Sequence, residues 1–165
     1  MTPSETSASR LRRALAEVQA DRAAFQKRAG EAMVYADRAL NAEQAAAAAL
    51  AMERAYTALE SILERVTRAL EGGAPSGPDW HRQLLDGAAM SIHKVRPALL
   101  SQRSHEAADR LMRFRHFLRH AYGADLDPRR VGELVTELAQ GQVSILADLD
   151  AMEAFLASMA DELGS

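Results

Sequence analysis

The stretch Met52-Glu-Arg-Ala-Tyr-Thr-Ala-Leu-Glu-Ser-Ile-Leu-Glu-Arg-Val-Thr-Arg-Ala-Leu70 decides the fold class. Met52, Tyr56, Leu59, Leu63, Val66 and Leu70 alternate steps of four and three, which keeps one face of a 3.6-residue helix apolar from end to end. Gly72 and Gly73 then stop it. Working back toward the N-terminus, Leu11, Leu15, Val18, Arg22, Phe25, Ala29, Ala32, Ala36 and Ala39 follow the same rhythm, so a long helix is expected over residues 10–40 after a frayed start at 1–9. Its alanine seam allows a neighbouring helix to approach closely, and Asn41 followed by Glu43 marks a break and restart.

The loop Gly72-Gly-Ala-Pro-Ser-Gly-Pro78 is a hinge between helices, too short for a domain linker. Asp79 is placed to cap a third helix carrying Trp80, Leu84, Leu85 and Met90, which Arg96-Pro97 interrupts and a short helix or turn follows. Ser104 precedes a fourth helix with Leu111, Phe114, Phe117 and Leu118, running to about Tyr122 before Gly123. Asp127-Pro128 opens a fifth, whose stripe runs from Val131 through Leu138, Ile145, Leu149 and Leu156 to Met159.

Composition agrees. The chain has 165 residues, of which 5% are aromatic, and its Val and Ile come to ten, too few for a sandwich or a wound sheet. An all-α, up-and-down bundle of about five helices, two of them long and N-terminal, is therefore expected as a single domain over 1–165. The absence of cysteine excludes disulfides, thiolate zinc sites and cysteine nucleophiles. The longest apolar run, Ala45 to Met52, is far short of a bilayer span, so no membrane partner is expected. Residues 1–9 show no export signal, and the cytoplasm is the expected location. A net charge of −3 argues against nonspecific nucleic-acid coating but leaves room for a local basic patch.

Such a patch lies in Arg110-Leu-Met-Arg-Phe-Arg-His-Phe-Leu-Arg-His-Ala-Tyr122, which holds four arginines and two histidines with no acid. With Arg115 set at zero, a helical wheel puts Arg119 at about 40°, His116 at about 100°, His120 at about 140° and Arg113 at about 160°. Leu111, Phe114, Leu118 and Ala121 fall on the opposite side, so the helix is expected to bury that stripe and present a cationic face to an anion. Tyr122 falls beside Arg115 and Arg119. The plain alternative is an arginine face neutralised by acids elsewhere in the bundle, such as Glu60 and Glu64. A metal on His116 and His120 is disfavoured because no carboxylate lies nearby and the arginines repel a cation. His81, His93 and His105 read as surface or packing histidines, and Trp80 as a core or loop anchor. No phosphate-binding glycine loop and no G-x-S-x-G elbow is present.

Arg115, four intervening residues, His120, one residue and Tyr122 reproduce an R-x4-H-x-Y pattern. In this the chain resembles the HEPN ribonucleases, and within them the HepT-like toxins. The resemblance extends to Tyr56–Arg65, Ser76–Arg82 and Phe114–Leu126, covering most of residues 42–160, the first helix fitting less specifically. It departs from the family at His116, where Asn or Asp is common; His116 either supports the site or shares proton transfer with His120. What the resemblance implies is the toxin of a toxin–antitoxin pair, a metal-independent endoribonuclease that needs no cofactor. Arg115 and His120 would be catalytic, with His116, Arg119 and Arg113 supporting them or binding RNA. The implied partners are a second copy facing the first across a homodimer interface and a nucleotidyltransferase antitoxin that attaches AMP to Tyr122. The rival from another class is a noncatalytic HEPN subunit that binds a nucleotide or serves as the substrate-binding half of a nucleotidyltransferase complex.

The chemistry suits those side chains. RNA's 2′-hydroxyl can attack the adjacent phosphate if one group removes its proton, another protonates the leaving 5′-oxygen and a cation stabilises the crowded phosphate. Histidine, with an unperturbed pKa of about 6.5, serves either proton step, and arginine's charged fork matches phosphate oxygens. Attacking and leaving oxygens lie on opposite sides, so one His120 can hardly serve both; a twofold dimer would supply the second.

Overall fold

The computed structural model describes residues 3–121 and 126–164. Most of them belong to five helices: α1 (Pro3–Met33), α2 (Ala42–Glu71), α3 (Trp80–Ala88), α4 (Gln102–His120) and α5 (Pro128–Gly164). Among the described residues there is no strand, only an isolated bridge between Ile92 and Arg96. The all-α bundle read from the sequence is what forms. No helix among the described residues is long and apolar enough to cross a membrane.

Helix α2 is central and touches each of the other four. Its stripe of Met52, Tyr56, Leu59, Ile62, Leu63 and Val66 is almost wholly buried and meets Val18 and Phe25 of α1 and Ile145, Leu149 and Leu156 of α5 in one core. Both α1 and α2 bury alanines in this core, including Ala29 and Ala32 on α1 and Ala45, Ala48 and Ala55 on α2. The start of α2 is fixed by a reciprocal cap: Asn41 Oδ1 accepts from the Gln44 backbone at 2.9 Å, and Gln44 Oε1 accepts from the Asn41 backbone at 3.0 Å. It ends at Gly72, whose φ of +80° suits glycine and lets its N–H reach the Arg68 carbonyl.

Several boundaries differ from the sequence reading. Helix α1 begins at Pro3, inside the stretch read as frayed, because proline suits a first helical turn and Ala8 and Leu11 are buried against the rest of the bundle. It ends at Met33 and not near residue 40: tight turns close at Tyr35 and Ala36, and Asp37 turns left-handed at φ 55°. The apolar spacing continues because Tyr35, Ala36 and Leu40 still pack on the core, although the backbone has left the helix. Helix α4 is capped by Ser101, whose hydroxyl accepts from the Ser104 backbone, while Ser104 itself is buried in the first turn. Asp79 precedes α3 without a side-chain cap, and Met90 lies beyond the helix, exposed.

The turn after α3 is organised by Arg96, the residue read only as an interruption. Its buried guanidinium pairs with Glu71 at 2.7 Å and donates to the carbonyls of Met90, Gly87 and Pro97. One side chain thus ties the end of α2 to the end of α3. Farther on, Asp127 Oδ1 accepts from the Arg129 backbone and Pro128 leads into α5, as expected. Helices α3 and α4 are left side by side on the flank of α2, and the sequence's histidines and arginines meet there.

Candidate functional site

Arg115 does not stand in the middle of a solvent face. It is 4% exposed and faces α2, one turn beyond the buried Leu111, at the edge of the apolar stripe. Its Nη2 donates to Glu60 Oε1 at 3.0 Å and Oε2 at 3.1 Å, its Nη1 donates to Thr57 Oγ1 at 3.3 Å, and the guanidinium lies 4.6 Å from the centre of the Tyr56 ring. Glu60 is itself buried. The expectation of an open arginine face is therefore corrected at its centre: a buried carboxylate requires a cation, and Arg115 is that cation. Burial, and next the negative charge of Glu60, push the Tyr56 phenol well above its ordinary pKa.

The other arginines of the segment also have acids within reach. Arg113 pairs with Asp109 at 2.9 Å, Arg110 lies 3.6 Å from Glu137, and Arg119 lies 3.8 Å from Glu53. Of the two acids weighed as neutralisers, Glu60 takes Arg115 while Glu64 takes Arg68 on its own helix. Arg113, Arg110 and Arg119 remain at least half exposed, so solvent screens these surface pairs.

Between α3 and α4 lies a cavity of about 310 Å³ lined by Asp79, His81, Arg82, Met112, Arg113, Arg115, His116 and Arg119, with Pro78 at its edge. Four arginines and two histidines against one carboxylate give it a cationic wall. The structure thus brings together Arg113, Arg115, His116 and Arg119. His120 does not line this cavity. It lies on the exposed last turn of α4, where its Nδ1–H donates to the His116 carbonyl at 2.8 Å and Nε2 has no partner among the described residues. The His116 and His120 rings sit 4.2 Å apart. Tyr122 is outside the described residues.

His81 is the residue the sequence reading passed over. In sequence it reads as a surface or packing histidine, yet its Nδ1 is 2.6 Å from Glu60 Oε2. Trp80 stacks on it, with ring centres 3.7 Å apart. The acid is 21 positions away on another helix, so no spacing rule points to it. On α2, Glu60 follows Tyr56 by one turn but also shares its edge of the helix with Glu53, Thr57 and Glu64, so the wheel alone does not mark it for burial. His105 likewise has a carboxylate, Asp86 at 2.8 Å, but lies outside the cavity. Among the described residues no group of three or more His, Cys, Asp or Glu side chains is arranged to hold a metal ion.

Comparison with known proteins adds one finding. A family model described as HepT-like protein matches residues 47–157, from within α2 to within α5, a span that includes the whole cavity. Among curated proteins and among solved structures, nothing matches.

Proposed function

Because the chain belongs to the HepT-like family, we propose that it is the ribonuclease toxin of a toxin–antitoxin pair, cutting RNA without a metal by attack of the 2′-hydroxyl on the adjacent phosphate. The observation that carries this reading is the coincidence of the R-x4-H-x-Y pattern with a cationic cavity on the same helix, lined by Arg113, Arg115, His116 and Arg119. In this reading Arg115 and Arg119 hold the phosphate, Arg113 and His116 support the RNA strand, and His120, through its open Nε2, passes a proton. A homodimer with α4 near the twofold axis would bring a second His120 to the opposite side of the phosphate. Tyr122 would be the residue that a nucleotidyltransferase antitoxin modifies with AMP.

The burial of Arg115 against Glu60 favours a second reading, a noncatalytic subunit that binds a nucleotide in the cavity. Fixed by a carboxylate, a hydroxyl and an aromatic ring, that arginine has less charge to give a transition state. The two separate on purified protein incubated with RNA in EDTA. Fragments ending in cyclic phosphate, together with growth arrest when the chain is produced alone, support the toxin. Intact RNA with saturable nucleotide binding supports the subunit. Light scattering reads the dimer, and a strict monomer at micromolar concentration removes the two-His120 arrangement.

A further inference from the structure

Glu60 sits at the centre of a buried contact set whose protonation can be worked out from geometry. Its Oε2 has the His81 Nδ1 at 2.6 Å, and the Arg115 Nη2 is 3.0 Å from that same Nδ1. Both contacts cannot be hydrogen bonds of the neutral ring. If Nδ1 carried a lone pair for Arg115, it would face the carboxylate oxygen lone pair to lone pair at 2.6 Å, a repulsive arrangement. With a proton on Nδ1 the short contact is a charge-assisted hydrogen bond, and Arg115 already has Glu60 and Thr57 as acceptors. His81 therefore carries a proton on Nδ1, with Arg115 and His81 converging as donors on one carboxylate. Arg115 balances the charge of Glu60, so His81 can stay neutral without leaving a buried anion unpaired.

The other ring nitrogen, Nε2, has no partner among the described residues. The ring is half-buried and belongs to the cavity wall that Arg82, Arg113, Arg115, His116 and Arg119 complete. A neutral imidazole held by a carboxylate, with its second nitrogen unpartnered among the described residues and its ring in the wall of a cationic cavity, is the arrangement that makes histidine a general base: the carboxylate fixes tautomer and ring orientation and then stabilises the imidazolium. His120 differs in its anchor and setting, being exposed and held by a backbone carbonyl where His81 has a carboxylate.

We propose that Glu60 and His81 form the base of the ribonuclease site, His81 Nε2 removing the proton from the attacking 2′-hydroxyl of a strand whose phosphate lies among Arg113, Arg115 and Arg119. This rests on the ribonuclease reading above. As the proton passes to Nε2, the 2′-oxygen bonds to phosphorus and the bond from phosphorus to the 5′-oxygen breaks. The 5′-oxygen takes a proton from the protonated His120 or from water. The products are a 2′,3′-cyclic phosphate and a 5′-hydroxyl, with His81 left as an imidazolium against Glu60. Glu60 is a positioning residue, since it acts only through His81 and Arg115. His81 then takes the proton-removing step that would otherwise fall to a second His120, and the acid comes from whichever copy's His120 faces the leaving oxygen.

The test compares wild type, His81→Ala and His81→Gln in EDTA on two RNA oligonucleotides, one natural and one with sulfur as the 5′ leaving atom, which departs without protonation. Glutamine keeps a donor for Glu60 and much of the volume but has no basic nitrogen, so it guards against a simple packing loss, and thermal melting checks that each variant folds. His105→Ala, which also loses a carboxylate-bound imidazole but outside the cavity, should cleave as wild type does. The expected result is a loss of about 10²–10⁴-fold in both His81 variants on both substrates, because the base is needed whichever group leaves. Cleavage by the folded His81→Gln protein within a few-fold of wild type overturns the proposal, as does a loss that vanishes with the sulfur substrate, the mark of an acid. A wild-type protein that leaves RNA intact overturns the ribonuclease reading and this inference with it; unchanged His81 variants beside an active wild type overturn this inference alone.

Discussion

Glu60 on α2 holds Arg115 on α4 through both carboxylate oxygens, at 3.0 and 3.1 Å, with both side chains less than a tenth exposed. Removing either partner leaves the other charge buried, which costs about 3–5 kcal/mol, whereas exchanging both for apolar groups of similar size is often close to neutral. Glu60→Ala and Arg115→Ala should each lose stability of that size in urea denaturation, and the double variant Glu60→Leu/Arg115→Met should recover most of it. A double variant as unstable as the sum of the two single losses would contradict a coupled pair.

The same pair makes the alkaline limb of stability informative. Tyr56 lies against it, and burial, then the charge of Glu60, raise the phenol in the folded protein above the ordinary value of about 10. Above that pH the unfolded chain releases the Tyr56 proton while the folded chain keeps it, so the unfolded state binds fewer protons and stability falls as pH rises. Below about pH 10 the contribution is fully present. Urea midpoints measured from pH 8 upward should fall more steeply for wild type than for Tyr56→Phe, and parallel curves would mean that the phenol ionises alike in both states.

Close packing of α4 on α5 yields a test with opposite signs at two glycines. A Cβ added at Gly141 would meet the Ala107 Cβ at 2.5 Å, while one added at Gly30 on α1 meets nothing within 4 Å. Gly30→Ala should stabilise by about 0.5–1 kcal/mol through helix propensity alone. Gly141→Ala gains the same propensity but must push α4 away from α5, an overpacking that costs about 1–3 kcal/mol, so the net change should be destabilising. Thermal melts of the two variants should move in opposite directions.

Fold class was legible because apolar spacing on α2 and α5 is set by the helix repeat, and Asn41, Gly72 and Asp127-Pro128 carry their own stop and start chemistry. The end of α1 was not, since Ala36 and Leu40 pack on the core equally well from a turn. Within the site, the wheel put Arg113, Arg115, His116, Arg119 and His120 on one face, of which all but His120 line the cavity, but it could not say which edge meets α2, and Leu111, only about 40° from Arg115, already favoured burial. His81 was illegible for a different reason. Its meaning depends on Glu60, brought to it by the packing of α3 on α2, and single-chain spacing carries no information about that contact.

For catalysis, the two pattern residues should behave differently when removed. His120 is exposed, so His120→Ala should keep its melting temperature while RNA cleavage falls about 10²–10⁴-fold. Arg115→Ala should lose both cleavage and stability, because Glu60 is then unpaired. In the stabilised Glu60→Leu/Arg115→Met protein cleavage should remain absent, which shows that the loss comes from the missing charged groups, Arg115 toward the phosphate and Glu60 behind His81, and not from instability. EDTA should change nothing in wild type. Full cleavage by His120→Ala would remove it from proton transfer.

Tyr122 follows His120 by two residues and lies outside the described part of the chain, so its role is argued from sequence and charge. An ordinary tyrosine keeps its proton to about pH 10 and makes a poor general base near neutrality, so a role in cleavage itself is not the natural reading. AMP attached to its oxygen would add a phosphate, with negative charge and bulk, next to a helix end already carrying Arg119 and His120. Those cations would pair with the attached phosphate and be withdrawn from RNA, which would switch off the proposed cleavage. Coexpression with a nucleotidyltransferase antitoxin should therefore raise the mass by one or more AMP units located on Tyr122, and Tyr122→Phe should remain toxic beside the partner. If the partner neutralises Tyr122→Phe as fully as wild type, it acts by covering the site and the tyrosine is not the switch.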